Sequence, residues 1–110
     1  MKIEVANIIH SSYAAYHQEG LDVFALVEKA ISKRESVELS FKGVEVCSTM
    51  FLNACVGKLY VSYPVDVIDG LLSYSNTDQL ISLRSKLNDV KANALRHELH
   101  DAEAEESYHK

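Results

Sequence analysis

Residues 37–60 change their hydrophobic period once, and this change constrains the fold more than any other feature of the sequence. Apolar residues first alternate with polar ones at positions 37, 39 and 41, which is typical of a strand with one buried face. From Phe51 the apolar residues follow helical spacing instead, at positions 51, 52, 55, 56 and 59. Between the two patterns, Ser48 or Thr49 has the hydroxyl of a helix N-cap. We therefore predict a central strand, a short turn and a helix that packs over the sheet.

The segments on either side of this stretch alternate between strand and helix patterns. In chain order we predict a strand over residues 2–9, a loop over 10–20, a helix over 21–33, a helical turn over 65–69 that ends at Gly70, and a short strand over 71–74. Such an alternation is typical of α/β domains. We predict a small mixed β-sheet with helices mainly on one face, followed by a long C-terminal helix.

The C-terminal helix changes character along its length. Asn76 and Gln79 have the spacing of a capping box, so we predict that the helix opens there, and its apolar repeat continues to Ala94. Residues 84–96 contain four Lys or Arg and one acid, whereas residues 98–106 contain five acids and no Lys or Arg. We therefore predict an α/β domain over residues 1–95 and an acidic helical extension over residues 96–110.

Composition excludes several classes of protein. A chain of 110 residues is one domain of ordinary size, and its net charge of −5 argues against a general nucleic-acid binder. No apolar run approaches the length of about 18 residues that a spanning helix needs, and the N-terminus lacks the pattern of a signal peptide. Two cysteines eight residues apart, Cys47 and Cys55, fit free thiols in a reducing compartment. We expect a cytoplasmic protein with no membrane segment.

The residues that can carry chemistry form no recognisable catalytic set, so we expect no enzyme and no cofactor. A metal pattern is present at residues 97–103, where His97, Glu98, His100, Asp101 and Glu103 have helical spacing. A solvated acidic helix end would look the same, and we expect no metal. Cys47 precedes a helix whose N-terminus can acidify a thiol, although a structural role is favoured for both cysteines.

A sequence signature accompanies the central strand and helix. It consists of Ser40-Phe41-x-Gly43-Val44, then Thr49-x-Phe51-Leu52-Asn53-Ala54-x-x-Gly57-x-Leu59-Tyr60, with weaker matches over residues 15–20 and 72–78. Over roughly residues 14–95 the chain resembles the STAS-like family of unknown function. That family comprises small bacterial and phage-associated domains that are distantly similar to anti-sigma factor antagonists. The resemblance implies a STAS-like fold and a role in binding a partner protein, of which a histidine-kinase-like ATPase is one example.

The resemblance also directs attention to the turn before the central helix, where anti-sigma factor antagonists are phosphorylated by a partner kinase. Those proteins carry an aspartate-serine-serine-glycine-like motif, whereas this chain reads Cys47-Ser48-Thr49-Met50 and places Met50 at the phosphoserine position. A capping role for Ser48 and Thr49 is therefore favoured, with phosphorylation of either as the alternative. We predict that the partner-binding residues are Ser48, Thr49, Met50 and Asn53.

Two functions of different class follow from these observations. The first is a non-enzymatic regulatory module that docks a partner protein through the start of the central helix. The alternative is a small-molecule sensor, or an accessory subunit of a larger bacterial or phage system, with a pocket formed by the 10–20 loop and Asn53. Self-association through the C-terminal helix is compatible with both.

Overall fold

The central strand lies in the middle of a three-stranded parallel sheet, and helices connect the strands. The elements are β1 Lys2–Glu4, α1 Val5–Ile9, β2 Tyr13–Ala14, α2 His17–Ser32, β3 Val37–Ser40, β4 Val46–Cys47, α3 Thr49–Leu52, α4 Lys58–Ser62, α5 Val65–Leu71, β5 Leu72–Ser75 and α6 Leu83–Tyr108. The main sheet has the order β1-β3-β5, and β2 pairs with β4 in a second sheet. The computed structural model describes residues 1–80 and 82–108, and of these the side chains of residues 1–80 and 82–96.

The helices cover one face of the main sheet. Val37 and Leu39 on β3 are buried, as is Phe41 directly after it, which confirms the alternation seen in the sequence. On the opposite face Lys2, Glu38 and Ser73 form a polar row across the three strands. The α/β class and the coverage of one face are therefore confirmed.

The sheet is parallel rather than mixed, which corrects the prediction. All three strand pairings among the described residues run in the same direction. The reason is the connectivity, because β1 reaches β3, and β3 reaches β5, only after helical crossovers that return the chain to the same edge. None of the helices in the described part of the chain is long and apolar enough to cross a bilayer.

Residues 49–62 form one continuous central helix with an irregular middle. A five-residue π-helical segment, Asn53–Gly57, separates α3 from α4. On one side Gly20 of α2 lies so close that an added Cβ would be 2.6 Å from the carbonyl oxygen of Phe51 and 2.7 Å from the Cβ of Ala54. Phe51 and Leu52 are fully buried, as predicted. Burial of each such side chain contributes about 1.5–3 kcal/mol, so this helix anchors the core.

The first half of α6 runs beside the central helix and in the same direction. The Lys86 ammonium donates a hydrogen bond of 2.9 Å to the carbonyl of Cys47, and the Lys91 ammonium lies 5.4 Å from the centre of the Tyr60 ring. Residue numbers therefore rise together along both helices. The predicted apolar repeat docks as expected, through the buried residues Leu83, Leu87, Val90 and Ala94.

Two element boundaries near the N-terminus differ from the prediction. The strand predicted over residues 2–9 ends at Glu4, and α1 then continues to Ile9, where His10 closes it in the left-handed region with φ of 55°. The helix predicted from residue 21 begins at His17, so Gly20 lies inside α2. Half of the predicted 10–20 loop is therefore strand β2 and the first turn of α2.

Two further boundaries differ near the last helix. Gly70 lies within α5 and does not end it. Asn76 and Gln79 do not cap a helix: Asn76 has φ of 55°, and the Gln79 side-chain amide donates 2.9 Å to the carbonyl oxygen of Phe41. Gln79 therefore ties this connection to the end of the central strand, and α6 begins later, at Leu83.

Candidate functional site

Two parallel strand-helix units position the predicted site. β2 and β4 lie side by side, with Tyr13 beside Val46 and Ala14 beside Cys47. α2 follows the first strand and the central helix follows the second, so both helices start from the same edge. Ala14 and Cys47 are buried, whereas Tyr13 and Val46 are exposed.

Ser48 joins these two units. Its backbone N–H donates 2.9 Å to the carbonyl of Ala14, and its hydroxyl donates 2.8 Å to the carbonyl of Ala15. The same hydroxyl accepts a hydrogen bond of 3.1 Å from the N–H of Phe51. Ser48, one of the two predicted candidates, is therefore the N-cap of the central helix. The other candidate, Thr49, is exposed in the first turn.

An exposed apolar patch surrounds this junction. It consists of Tyr13, Tyr16, Val46 and Met50, which are 56%, 68%, 45% and 58% exposed. Tyr16 lies one turn before Gly20, and Met50 lies one turn before Ala54, where the two helices touch. Tyr16 and Met50 therefore lie at the same end of the helix pair, next to the paired residues Tyr13 and Val46.

The sequence pointed to only part of this patch. Met50 is one of the residues predicted to bind a partner, whereas Tyr13 and Tyr16 fall within the predicted 10–20 loop. The sequence does not predict Val46, because Val44 and Val46 continue the apolar character of the central strand in one run. In the structure Val44 is buried and Val46 is exposed. No signal in a single sequence separates these two valines, since both stand at alternate positions of the same run.

Asn53 lies on a different feature from the patch. It is exposed at the start of the π-helical segment and lines an open cleft of about 420 Å³ between the central helix and α6. The described residues that line this cleft are Asn53, Gly57, Lys58, Val61, Asn93 and Ala94. None of them belongs to residues 10–20, so the structure does not bring that loop and Asn53 together in this cleft.

A second cleft of about 310 Å³ lies between β4 and the start of α6, and Cys47 and Lys86 are among its lining residues. Burial raises the pKa of the Cys47 thiol to about 11, although the positive charge of Lys86 acts in the opposite direction. Burial also raises the pKa of the Cys55 thiol. Both free thiols therefore stay protonated at neutral pH. The helix N-terminus after Cys47 does not acidify its thiol, which was the alternative considered from the sequence.

One polar cluster of the described side chains connects three helices. The carboxylate of Asp69 accepts 2.6 Å from the Tyr60 hydroxyl and 2.7 Å from the Lys91 ammonium. Burial acts to raise the pKa of Asp69, but hydrogen bonds from Lys91 and Tyr60 outweigh it and lower that pKa. Burial raises the pKa of Tyr60, and the hydrogen bond to Asp69 raises it further. This arrangement fixes α5 between α4 and α6.

Metal-ligating groups do not converge in the part of the chain with described side chains. No set of three or more His, Cys, Asp or Glu residues there is arranged to hold an ion. The pattern of His97, Glu98, His100, Asp101 and Glu103 lies outside the residues whose side chains are described. It therefore stays a sequence pattern.

A family model matches residues 19–81, and its description is "STAS-like domain of unknown function (DUF4325)". The match covers more than half of the chain and includes β3, β4, the central helix and β5. Tyr13, Tyr16 and α6 lie outside it. No curated protein and no solved structure matches the chain.

Proposed function

The chain belongs to the family of STAS-like domains of unknown function, and we propose that it is a non-enzymatic regulatory module that docks a partner protein. The proposed docking surface is the exposed apolar patch together with Thr49 in the first turn of the central helix. The observation that carries the proposal is the grouping of four exposed apolar side chains at one end of the molecule.

The composition and support of the patch suit an interface. Tyrosine and methionine are enriched where proteins bind each other, and grouped exposed apolar side chains mark interaction sites more often than isolated ones do. The patch also has a firm base, because Ser48 joins the two strand-helix units through two hydrogen bonds and caps the central helix with a third. A surface that is ordered before binding loses less conformational entropy on binding.

The start of the central helix adds a polar preference to this surface. Ser48 accepts hydrogen bonds from the N–H groups of Phe51 and Leu52, while no described group accepts from those of Thr49 and Met50. Such free N–H groups and the helix dipole favour an acidic group on the partner. The family resemblance suggests a histidine-kinase-like ATPase as one class of partner, and we propose it as a candidate partner.

Phosphorylation is the regulatory step that we propose for this surface. The Ser48 hydroxyl is engaged in two hydrogen bonds, whereas Thr49 is exposed beside the patch. Thr49 is therefore the better phosphoacceptor of the two. A phosphate there would add about two negative charges to the surface that receives the acidic partner group, and docking would weaken.

A non-enzymatic role in a reducing compartment such as the cytoplasm is part of the same proposal. Among the described groups with shifted pKa values, Tyr60 and Asp69 form hydrogen bonds that join helices, and the two buried cysteines are free thiols. Both observations support the proposal.

The test compares partner binding by matched variants. Tagged chain is used to capture its partner from the host, and the purified pair is then measured by calorimetry. Met50→Ser, combined with Tyr16→Ser, should weaken binding about tenfold or more, because exposed aromatic and methionine anchors carry much of an interface's affinity. Thr49→Glu should also weaken it.

Val61→Ser is the matched control, because Val61 is also exposed but lies on α4 and outside the patch. Melting curves for each variant separate lost docking from lost folding. Normal binding by the folded double variant would place the interface elsewhere and contradict the proposal, whatever the control shows.

A further inference from the structure

We propose that the chain forms a twofold dimer in which the α6 helices of two copies lie antiparallel. In this dimer the acidic segment, residues 98–106 of one copy, covers the cleft between the central helix and α6 of the other copy. The proposal concerns a surface separate from the apolar patch, and it does not depend on the proposed docking function. Its occupant is a second copy of this chain.

The first observation is the division of charge along α6. Four Lys or Arg against one acid in residues 84–96 are followed by five acids and no Lys or Arg in residues 98–106. Both halves belong to the single helix α6, Leu83–Tyr108. An antiparallel partner helix places acidic residues beside basic ones at both ends of the pair, whereas a parallel partner places like charges together.

The second observation is the chemistry of the cleft that this helix borders. The described residues that line it include one cation, Lys58, two carboxamides and no carboxylate. Arg96, two residues after Ala94, is exposed and donates to the side chain of Asn93. The nearest acids along α6, Asp89 and Glu98, lie one turn before Asn93 and one turn after Ala94, outside the lining residues. The cleft therefore carries an excess of positive charge.

The shape of the cleft also suits a helix. Gly57 and Ala94 are small residues in its wall, and Val61 offers an exposed apolar side chain beside them. Small residues let a neighbouring helix approach closely, and an apolar contact adds what exposed ion pairs alone do not supply. On the acidic segment, Leu99 and Ala102 have the spacing of one helix face.

The chain's own acidic segment cannot occupy its own cleft, which is why the proposal needs a second copy. α6 is one helix, so residues 98–106 lie further along the same axis than Ala94. The central helix, which runs in the same direction, ends at Ser62. At 1.5 Å per residue, residues 98–106 form a segment roughly 12 Å long that lies beyond the cleft. There a copy related by a twofold axis presents its own basic half.

The dimer should be sensitive to salt and to concentration. Exposed ion pairs are weak individually, and the screening length falls from about 10 Å at 0.1 M salt to about 3 Å at 1 M. In analytical ultracentrifugation we expect the wild-type chain to show a monomer–dimer equilibrium at low salt, with a smaller dimer fraction at high salt.

A charge-swap experiment tests the pairing itself. One variant, Lys58→Glu with Arg96→Glu, reverses the cleft, and a second, Asp101→Lys with Glu105→Lys, reverses the acidic segment. Each variant alone should have a dimer Kd raised at least about tenfold, because like charges meet at both contacts. An equimolar mixture should restore the dimer, since each reversed cleft then receives a reversed segment.

Lys42→Glu serves as the matched control, because it makes the same change of charge at an exposed residue outside both α6 and the cleft. It should leave the dimer fraction unchanged, and circular dichroism confirms that every variant is folded. A wild-type chain that stays monomeric at every concentration at low salt overturns the proposal. A mixture of the two reversed variants that stays monomeric overturns the antiparallel pairing.

Discussion

The contact between Gly20 and the central helix predicts that a single added methyl group will destabilise the fold. In most exposed helical positions, replacing glycine with alanine stabilises a protein by about 0.5–1 kcal/mol, because alanine restricts the unfolded chain and favours the helix. At Gly20 the added Cβ would lie 2.6 Å from the carbonyl oxygen of Phe51 and 2.7 Å from the Cβ of Ala54. Both distances are well inside van der Waals contact.

The size of the effect follows from these two opposing contributions. Overpacking by one methyl group costs about 1–3 kcal/mol, and the upper half of that range applies when the neighbour is backbone that cannot rotate away. Subtracting the gain in helix propensity leaves a net loss of about 1–2 kcal/mol for Gly20→Ala. Gly70→Ala is the matched control, because Gly70 is also helical but has no atom within 4 Å of an added Cβ. It should be neutral or stabilising by up to about 1 kcal/mol.

The measurement is urea denaturation of both variants beside the wild-type chain, monitored by circular dichroism. The two midpoints should shift in opposite directions, while the m-values stay equal, because the surface exposed on unfolding is the same. If Gly20→Ala were as stable as Gly70→Ala, α2 and the central helix would not approach each other as closely as described. The explanation of why this helix position needs glycine would then be refuted.

Two further predictions follow from the titratable groups. The lowered pKa of Asp69 stabilises the fold above the carboxyl's ordinary pKa of about 4, and this contribution is lost as pH falls through the lower folded value. Asp69→Asn should therefore lower the urea midpoint at pH 7 and flatten its fall towards pH 3; an unchanged pH profile would contradict this. Because the pKa of Cys47 is about 11, on the order of one thiol in a thousand is ionised at pH 8, and reaction with Ellman's reagent should be far slower than for a free cysteine peptide. A rate equal to that of the peptide would contradict its burial.

The parts of the fold that could be predicted are those in which one pattern repeats over many residues. The alternation through Leu39 and Phe41 specified the central strand and its buried face, and the stripe through Phe51 specified the helix after it. The apolar repeat predicts the last helix for the same reason, although the capping-box pattern at Asn76 predicts its start before the observed Leu83. In these segments burial of the apolar face contributes most of the folding free energy, so the local sequence predicts the type of element and its buried face.

The rest depended on contacts between distant residues. Val5 to Ile9 form a short apolar run that fits a strand or a helix equally well, and only its packing against α2 decides for α1. Gly20 looked like the end of a loop, yet it is glycine because another helix passes beside it. For the site, the resemblance identified the turn at Ser48, but Tyr13 and Val46 become neighbours only through strand pairing.

The π-helical segment Asn53–Gly57 changes the rotation of α4 about the helix axis relative to α3. Each residue of a helix advances the face by about 100°, so one residue more or less between α3 and α4 turns everything downstream by more than a quarter of a circle. A chain that lost one residue here would gain an unbroken α-helix. In that chain Phe51 could not be buried under α2 while Tyr60 donates to Asp69. The deletion would change the angle between the two side chains about the helix axis. The irregular turn allows one helix to pack against α2 through Phe51 and to bind α5 through Tyr60. We therefore expect a deletion or insertion in this segment to destabilise the fold more than a substitution of its side chains.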